Sequence, residues 1–353
     1  MARSATAAHM AFSGDPDEML VHGGDLAAAR RLFADAPEPF VDLSTGINPH
    51  SYPLPQLPAD LFARLPDGDA LAALTAAAAE AYGAPSAAHV VAAPGTQILL
   101  LLIATLVRPG RAAILTPTYS EHARAASLAG HQVTEIADLT AFDTVPEATL
   151  VIVTNPNNPD GRLFDKRDLT AVAKRLEERR GLLVVDEAFM DVGPAAGLAG
   201  EVSHSPIVVL RSFGKFFGLA GIRLGFALAR PPLARRLAAR LGPWAVSGPA
   251  LAVGAKALTD TAWMDEAQRQ LAADTMRLDA ILAGPGLQII GGTNLFRLVR
   301  TPAAPRLFQH LGRAGILVRT FPEHPSWLRF GLPGAEAEWS RLQIAMADYT
   351  NTQ

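Results

Sequence analysis

Three runs constrain the fold of this chain most: Leu150-Val151-Ile152-Val153-Thr154, Leu182-Leu183-Val184-Val185 and Ile207-Val208-Val209-Leu210. Each is apolar throughout and rich in β-branched residues. A strand with one solvated face alternates polar and apolar residues, and these do not. Each must therefore be covered on both faces. Helical stretches separate them, including a charged one over 166–180. The pattern predicts a mainly parallel central sheet with helices on both sides. Shorter strands are expected at 90–92, 112–115 and 132–136. After a helical stretch over 231–280, broken near Gly242-Pro243, strands at 287–290, 294–299, 316–319 and 328–331 mix with helices at 303–313 and 335–348. That suggests a second, smaller α/β layer. The expected division is a flexible leader at 1–18, an arm and part of the small domain at 19–60, a large domain at 61–243, and the rest of the small domain at 244–353.

In a covered parallel sheet, ligands bind outside the carboxyl ends of the strands. The unusual residues of this chain follow strands. Gly95, Tyr119, Thr154-Asn155, Asp186 and Arg211-Ser212 all come just after one. Lys215 lies a few residues beyond Ser212, inside a glycine-rich apolar run that continues through Arg223-Leu224-Gly225. A lysine in such a run either snorkels along its methylene stem or serves as a desolvated amine able to form an imine. The second reading explains its neighbours. Gly95-Thr96 opens a helix whose free amides suit a phosphate, and Ser212 and Arg223 add a hydroxyl and a guanidinium. Tyr119 can stack on a flat ring, Asn158 can donate to a ring oxygen, and Asp186 can pair with a protonated ring nitrogen. This inventory suits pyridoxal phosphate.

Composition removes other classes. The chain has 353 residues, a formal net charge of −3 and no cysteine. Without a basic run, nucleic acid is an unexpected partner. Disulfides, thiolate metal sites and a cysteine nucleophile are excluded, and no metal is expected. The longest apolar run, 98–107, has about half the length of a membrane span. No signal-peptide core precedes Asp15, Asp17 and Glu18, so a soluble, cytoplasmic protein is expected. Neither a P-loop nor a hydrolase nucleophile elbow is present.

In combination, Pro94-Gly95-Thr96-Gln97, Pro117-Thr118-Tyr119, Asn155-Pro156-Asn157-Asn158-Pro159-Asp160-Gly161, Asp186-Glu187-Ala188-Phe189, Ser212-Phe213-Gly214-Lys215 and Arg223-Leu224-Gly225 resemble the class I/II aminotransferase group of fold-type-I pyridoxal-phosphate enzymes. The likeness covers about residues 20 to 348. It implies an aspartate aminotransferase-like fold and a homodimer. It makes Lys215 the imine-forming lysine, and Gly95, Thr96, Gln97, Tyr119, Asn158, Asp186, Ser212 and Arg223 the cofactor's other partners. Arg329 becomes the arginine for the substrate's α-carboxylate. Two departures stand out. Phe189 occupies a position where many relatives have tyrosine, and Leu65 replaces the tyrosine expected from a partner subunit.

Within the group, His22-Gly23-Gly24-Asp25 with Leu43-Ser44-Thr45-Gly46-Ile47-Asn48-Pro49 resembles the threonine-phosphate decarboxylase branch of cobalamin synthesis. That likeness implies a substrate site formed by His22, Gly23, Gly46, Asn158, Arg319 and Arg329. The activity it implies is decarboxylation of L-threonine O-3-phosphate to (R)-1-amino-2-propanol O-2-phosphate. The alternatives are a histidinol-phosphate aminotransferase and a non-catalytic regulator that binds the cofactor. A regulator would need a DNA-binding module, and the short leader has no room for one.

Overall fold

A computed structural model describes residues 23–283 and 287–351. Its strands are β1 (Val41–Leu43), β2 (Val90–Ala93), β3 (Arg111–Leu115), β4 (Gln132–Ile136), β5 (Ala148–Thr154), β6 (Leu182–Asp186), β7 (Ile207–Ser212), β8 (Gly225–Leu228), β9 (Gln288–Thr293), β10 (Phe296–Arg300), β11 (Ile316–Thr320) and β12 (Trp327–Gly331). Seven form the large sheet in the order β2-β8-β7-β6-β5-β3-β4. From β7 through β6, β5 and β3 to β4 every pair is parallel. Only β8 runs antiparallel to its neighbours β2 and β7.

The unbroken apolar runs are explained by where their alternate residues go. Leu150, Ile152, Val184, Val208 and Leu210 point into one core, which the helices Thr96–Ala104 and Pro231–Leu241 cover. Val151, Val153, Leu183, Val185, Ile207 and Val209 belong to the core on the opposite face. Successive strand residues face opposite ways, so neither set could be polar without facing a helix.

The second sheet has the order β1-β11-β12-β10-β9. Its first strand comes from the N-terminal part of the chain and pairs in parallel with β11. Residues just after β1 then return to the lysine loop. The Asn48 N–H donates to the Lys215 carbonyl at 2.9 Å, and the Asn48 side chain donates to the Phe216 carbonyl at 2.8 Å. The loop after β5 also meets the second sheet closely. A side chain at Gly161, where φ is +72°, would place its Cβ 1.9 Å from the Gly292 carbonyl oxygen. Only glycine allows that approach.

Sequence-based helix and strand positions hold to within a few residues, from Gly68–Tyr82 to Glu336–Asn351. The chief addition is β8, a four-residue strand inserted between β2 and β7. Among the described residues, no helix is long and apolar enough to cross a membrane. The leader 1–18 and His22 lie outside the described residues.

Candidate active site

The lysine sits on the short helix Phe213–Phe216, which follows β7 directly. Its Nζ lies 5.7 Å from the centroid of the Phe189 ring. The side chain keeps partial solvent access, yet its pKa is lowered to about 8. Burial is the main cause; Arg329 and Arg223 add to it, and Asp186 opposes it. A free amine near neutral pH is what a nucleophilic lysine needs.

Asp186 ends β6 and is buried. Its Oδ1 accepts the Ala188 N–H at 3.1 Å, and its Oδ2 lies 3.3 Å from Nε2 of the fully buried His122. A chain of hydrogen bonds fixes the histidine's tautomer. The Asn157 amide donates to the Pro117 carbonyl and to Asp160, both at 2.8 Å, so its Oδ1 must accept. Thr118 therefore donates to Asn157 at 3.0 Å and accepts from Thr154 at 2.8 Å. Thr154 in turn accepts from His122 Nε2 at 3.0 Å. Nε2 therefore carries a proton, and the buried Nδ1 has no partner among the described residues. Position Nε2–H thus faces both Thr154 and the Asp186 carboxylate.

Arg329 on β12 is buried, and among the described residues both its hydrogen-bond partners are neutral oxygens. Nη1 donates to Asn158 Oδ1 at 2.5 Å and Nη2 to the Ser44 carbonyl at 2.8 Å. Its guanidinium lies 4.9 Å from the Phe296 ring centroid, and Nε is buried without a partner among the described residues. Burial, with Arg319 as a second positive neighbour, lowers its pKa to about 9, while Asp42 opposes the shift. Arg319 is its register partner across the β11–β12 pair, and burial lowers that pKa too. With Asn158 Oδ1 engaged by Arg329, the amide Nδ2 is the atom left to donate into the cleft.

Gly95, with φ of +88°, precedes the helix Thr96–Ala104. A Cβ there would lie 2.8 Å from Arg223 Nη2, so the guanidinium covers bare backbone at a helix start. Ser212 pairs with Gly225, which packs against the Thr96 amide. Gly95, Thr96, Ser212 and Arg223 are therefore neighbours, and this cradle of amides, hydroxyl and guanidinium suits a phosphate. Gln97 follows directly in the same helix start. Its side chain accepts from the Tyr119 hydroxyl at 3.1 Å and donates to Glu121 at 2.9 Å, which leaves its backbone N–H at the helix start for the phosphate. Together with the depressed lysine and the buried Asp186, the donors fit pyridoxal phosphate.

A family model described as aminotransferase class I and II matches residues 43–342. The chain belongs to the class I and II aminotransferase family. Two relatives in this family are named threonine-phosphate decarboxylase. That of Pseudomonas aeruginosa is 42% identical, with 94% of this chain and 98% of the relative covered. That of a Sinorhizobium species is 44% identical, with 93% and 98% covered. Among solved structures, a histidinol-phosphate aminotransferase from Sinorhizobium meliloti in complex with pyridoxal-5'-phosphate has a TM-score of 0.80 at 22% identity, covering 97% of this chain and 99% of that one. At that identity the likeness establishes the aspartate aminotransferase-like fold.

The remaining family positions are placed as follows. Tyr119 is half-buried and sets its edge to His122 at 5.6 Å between ring centroids. Gly46 packs onto two rings: a Cβ there would lie 2.9 Å from Phe189 Cε1 and 3.0 Å from Phe296 Cδ1. Gly23 lies flush against Ser44. Roles for His122 and Ser44 escape the sequence reading, and Arg211, singled out at a strand end, gains its partners only in the fold. His122 hides on a helix where nothing but its place after Tyr119 signals a role. Arg211 forms a buried cluster with Glu187 at 2.9 Å and Asp191 at 2.5 Å, behind Ser212 and Asp186. Ser44 bonds to two distant segments of the chain, at Gly24 and Arg329, as well as to Asp42 in its own turn.

Proposed function

We propose that this chain, with bound pyridoxal phosphate, decarboxylates L-threonine O-3-phosphate to (R)-1-amino-2-propanol O-2-phosphate in cobalamin biosynthesis. The observation that carries the reading is the buried Arg329, whose hydrogen-bond partners among the described residues are neutral oxygens, with Arg319 beside it and the 23–24 arm bonded nearby. A buried cation without an anion is costly, so the ligand should bring negative charge. Phosphothreonine carries a carboxylate at one end and a phosphate dianion at the other. The two relatives above, each matched over nearly its full length, bear the same activity in their names.

The cofactor, when bound, accepts the electron pair left at Cα as carbon dioxide departs. Protein groups do the rest. The Lys215 amine, with its pKa near 8, holds or releases a proton close to neutral pH and can return one to Cα. Arg329, with Arg319 beside it, grips the carboxylate and sets the bond to be broken; a fork of donors suits that task. Asp186, held by His122 and the Ala188 amide, presents its carboxylate to the ring nitrogen. Asn158 Nδ2 serves the ring oxygen. Gly95, Thr96, Ser212 and Arg223 hold the cofactor's phosphate. Tyr119 flanks the ring, while Gly23 and Gly46 border the substrate.

The same reading takes 61–243 as the cofactor-holding unit and 19–60 with 244–353 as the small one. Support for a homodimer comes from large apolar side chains left open to solvent: Phe62 at 69%, Leu65 at 67% and Trp244 at 60%. A cytoplasmic setting follows from the same reading.

The test is to mix enzyme, cofactor and O-phospho-L-threonine and measure released carbon dioxide and aminopropanol phosphate. Equimolar formation of both without an oxo acid is expected. Turnover of histidinol phosphate that requires 2-oxoglutarate and releases no gas would replace this reading with an aminotransferase.

A further inference from the structure

Ser44 lies just beyond β1 and is buried. Its hydroxyl accepts the Gly24 N–H at 2.8 Å and donates to Asp42 Oδ1 at 2.5 Å. Its own N–H donates to the same Asp42 oxygen at 2.9 Å, which fixes the local turn. Its carbonyl accepts Arg329 Nη2 at 2.8 Å. One residue thus touches the 23–24 arm with its side chain and the buried guanidinium with its backbone. Gly23 tightens the joint: a Cβ there would lie 2.3 Å from that carbonyl oxygen.

The arm is anchored beyond this point. Asp25 caps the helix Leu26–Leu32, accepting the Ala28 N–H at 2.9 Å. Phe33, just after that helix, sets its ring edge-on to Phe308 at 5.6 Å between centroids. On the near side of that anchor, Gly23 and Gly24 both meet Ser44. On the other side, Arg329 reaches Asn158 with its second nitrogen. A continuous line therefore runs from Gly24 through Ser44 and Arg329 to Asn158.

We propose that Ser44 is a positioning residue that sets the arm and Arg329 as one unit, so that the two anionic ends of a substrate are gripped in a fixed relation. The inference rests on the decarboxylase reading for the identity of those ends. Ser44 touches no substrate atom in this account; it acts through Gly24 and through Arg329. A ligand with a carboxylate alone needs only the Arg329 side of the joint. A ligand with a phosphate as well needs both.

The two sides predict an asymmetry. Ser44→Ala removes the hydroxyl and keeps the carbonyl, so it releases the arm and leaves Arg329 supported. Gly23→Ala drives a methyl into the carbonyl and disturbs both sides. The holoenzyme variants are compared by KM and kcat for O-phospho-L-threonine, by competitive inhibition with L-threonine, and by hydrogen exchange at the Gly24 amide. In Ser44→Ala, KM should rise about five- to tenfold, the loss of one hydrogen bond, and should change more than kcat. Inhibition by L-threonine should stay within about twofold under the same reasoning. Gly24 should exchange faster than in the parent enzyme, and Ser44→Thr, which keeps a hydroxyl, should restore both KM and exchange. Gly23→Ala should weaken L-threonine as well as the phosphorylated substrate.

Parent-like KM and exchange in Ser44→Ala would overturn the proposal. So would an equal loss for both ligands in that variant, a Ser44→Thr protein that behaves like Ser44→Ala, or unaltered L-threonine inhibition in Gly23→Ala. If the parent enzyme releases no carbon dioxide from phosphothreonine, the decarboxylase reading fails, while exchange at Gly24 still decides whether Ser44 ties down the arm.

Discussion

Replacing Lys215 with methionine in the cofactor-free protein measures the electrostatics of the site without any turnover. The amine has a pKa of about 8 in the folded chain against 10.5 when unburied. That gap corresponds to about 3 kcal/mol by the usual conversion. Partial solvent access of the side chain and screening reduce it to about 1–3 kcal/mol. Below pH 8 the folded protein must carry an ammonium in surroundings that disfavour it, so the full cost is present there. Between pH 8 and 10.5 the unfolded chain still binds the proton and the folded chain does not. Stability therefore rises with pH through that window. Lys215→Met removes the titrating group. Its urea midpoint at pH 7 should exceed that of the parent by the equivalent of about 1–3 kcal/mol, and the gap should close toward pH 10. Parallel midpoints across this range would show that the amine is solvated, and the argument for a poised nucleophile would fail.

Two further substitutions probe the surroundings. Arg329→Lys keeps a charge but cannot reach Asn158 Oδ1 and the Ser44 carbonyl with one nitrogen; steady-state kinetics should show a KM for phosphothreonine raised about 30-fold or more, the equivalent of at least ~2 kcal/mol. Arg211→Met strands two buried carboxylates whose pKa values burial already raises and Arg211 holds down. Denaturation at pH 7 should register a loss of about 3–5 kcal/mol, partly regained as pH falls and Glu187 and Asp191 take up protons.

The large sheet was legible because its central strands leave no doubt about burial: Val151 and Ile152 face opposite cores and neither can be polar. The site was legible because its residues sit at strand ends, where a covered parallel sheet has its crevice. Lys215 could be read from its isolation in an apolar run. Other parts left no such trace. Strand β8 begins with Gly225, directly after the glycine-rich lysine run, and its antiparallel pairing depends on what lies beside it. His122 gains its meaning only when β5 and β6 bring Thr154 and Asp186 to its ring. Ser44 reads as an ordinary loop residue, because Gly24 and Arg329 are far away in sequence. The Gln97 side-chain partners left no trace either: sequence places the residue beside Thr96, and only the fold brings it to Tyr119 and Glu121.

The most direct test of the account concerns which amine holds the cofactor. The chain has four lysines: Lys166, Lys174, Lys215 and Lys256. Borohydride reduction of the holoenzyme, followed by digestion and mass spectrometry, fixes the covalent link and reveals its position. The account predicts a pyridoxyl group on Lys215 and on no other lysine. A label on Lys166, Lys174 or Lys256, or cofactor recovered wholly unattached, would contradict it.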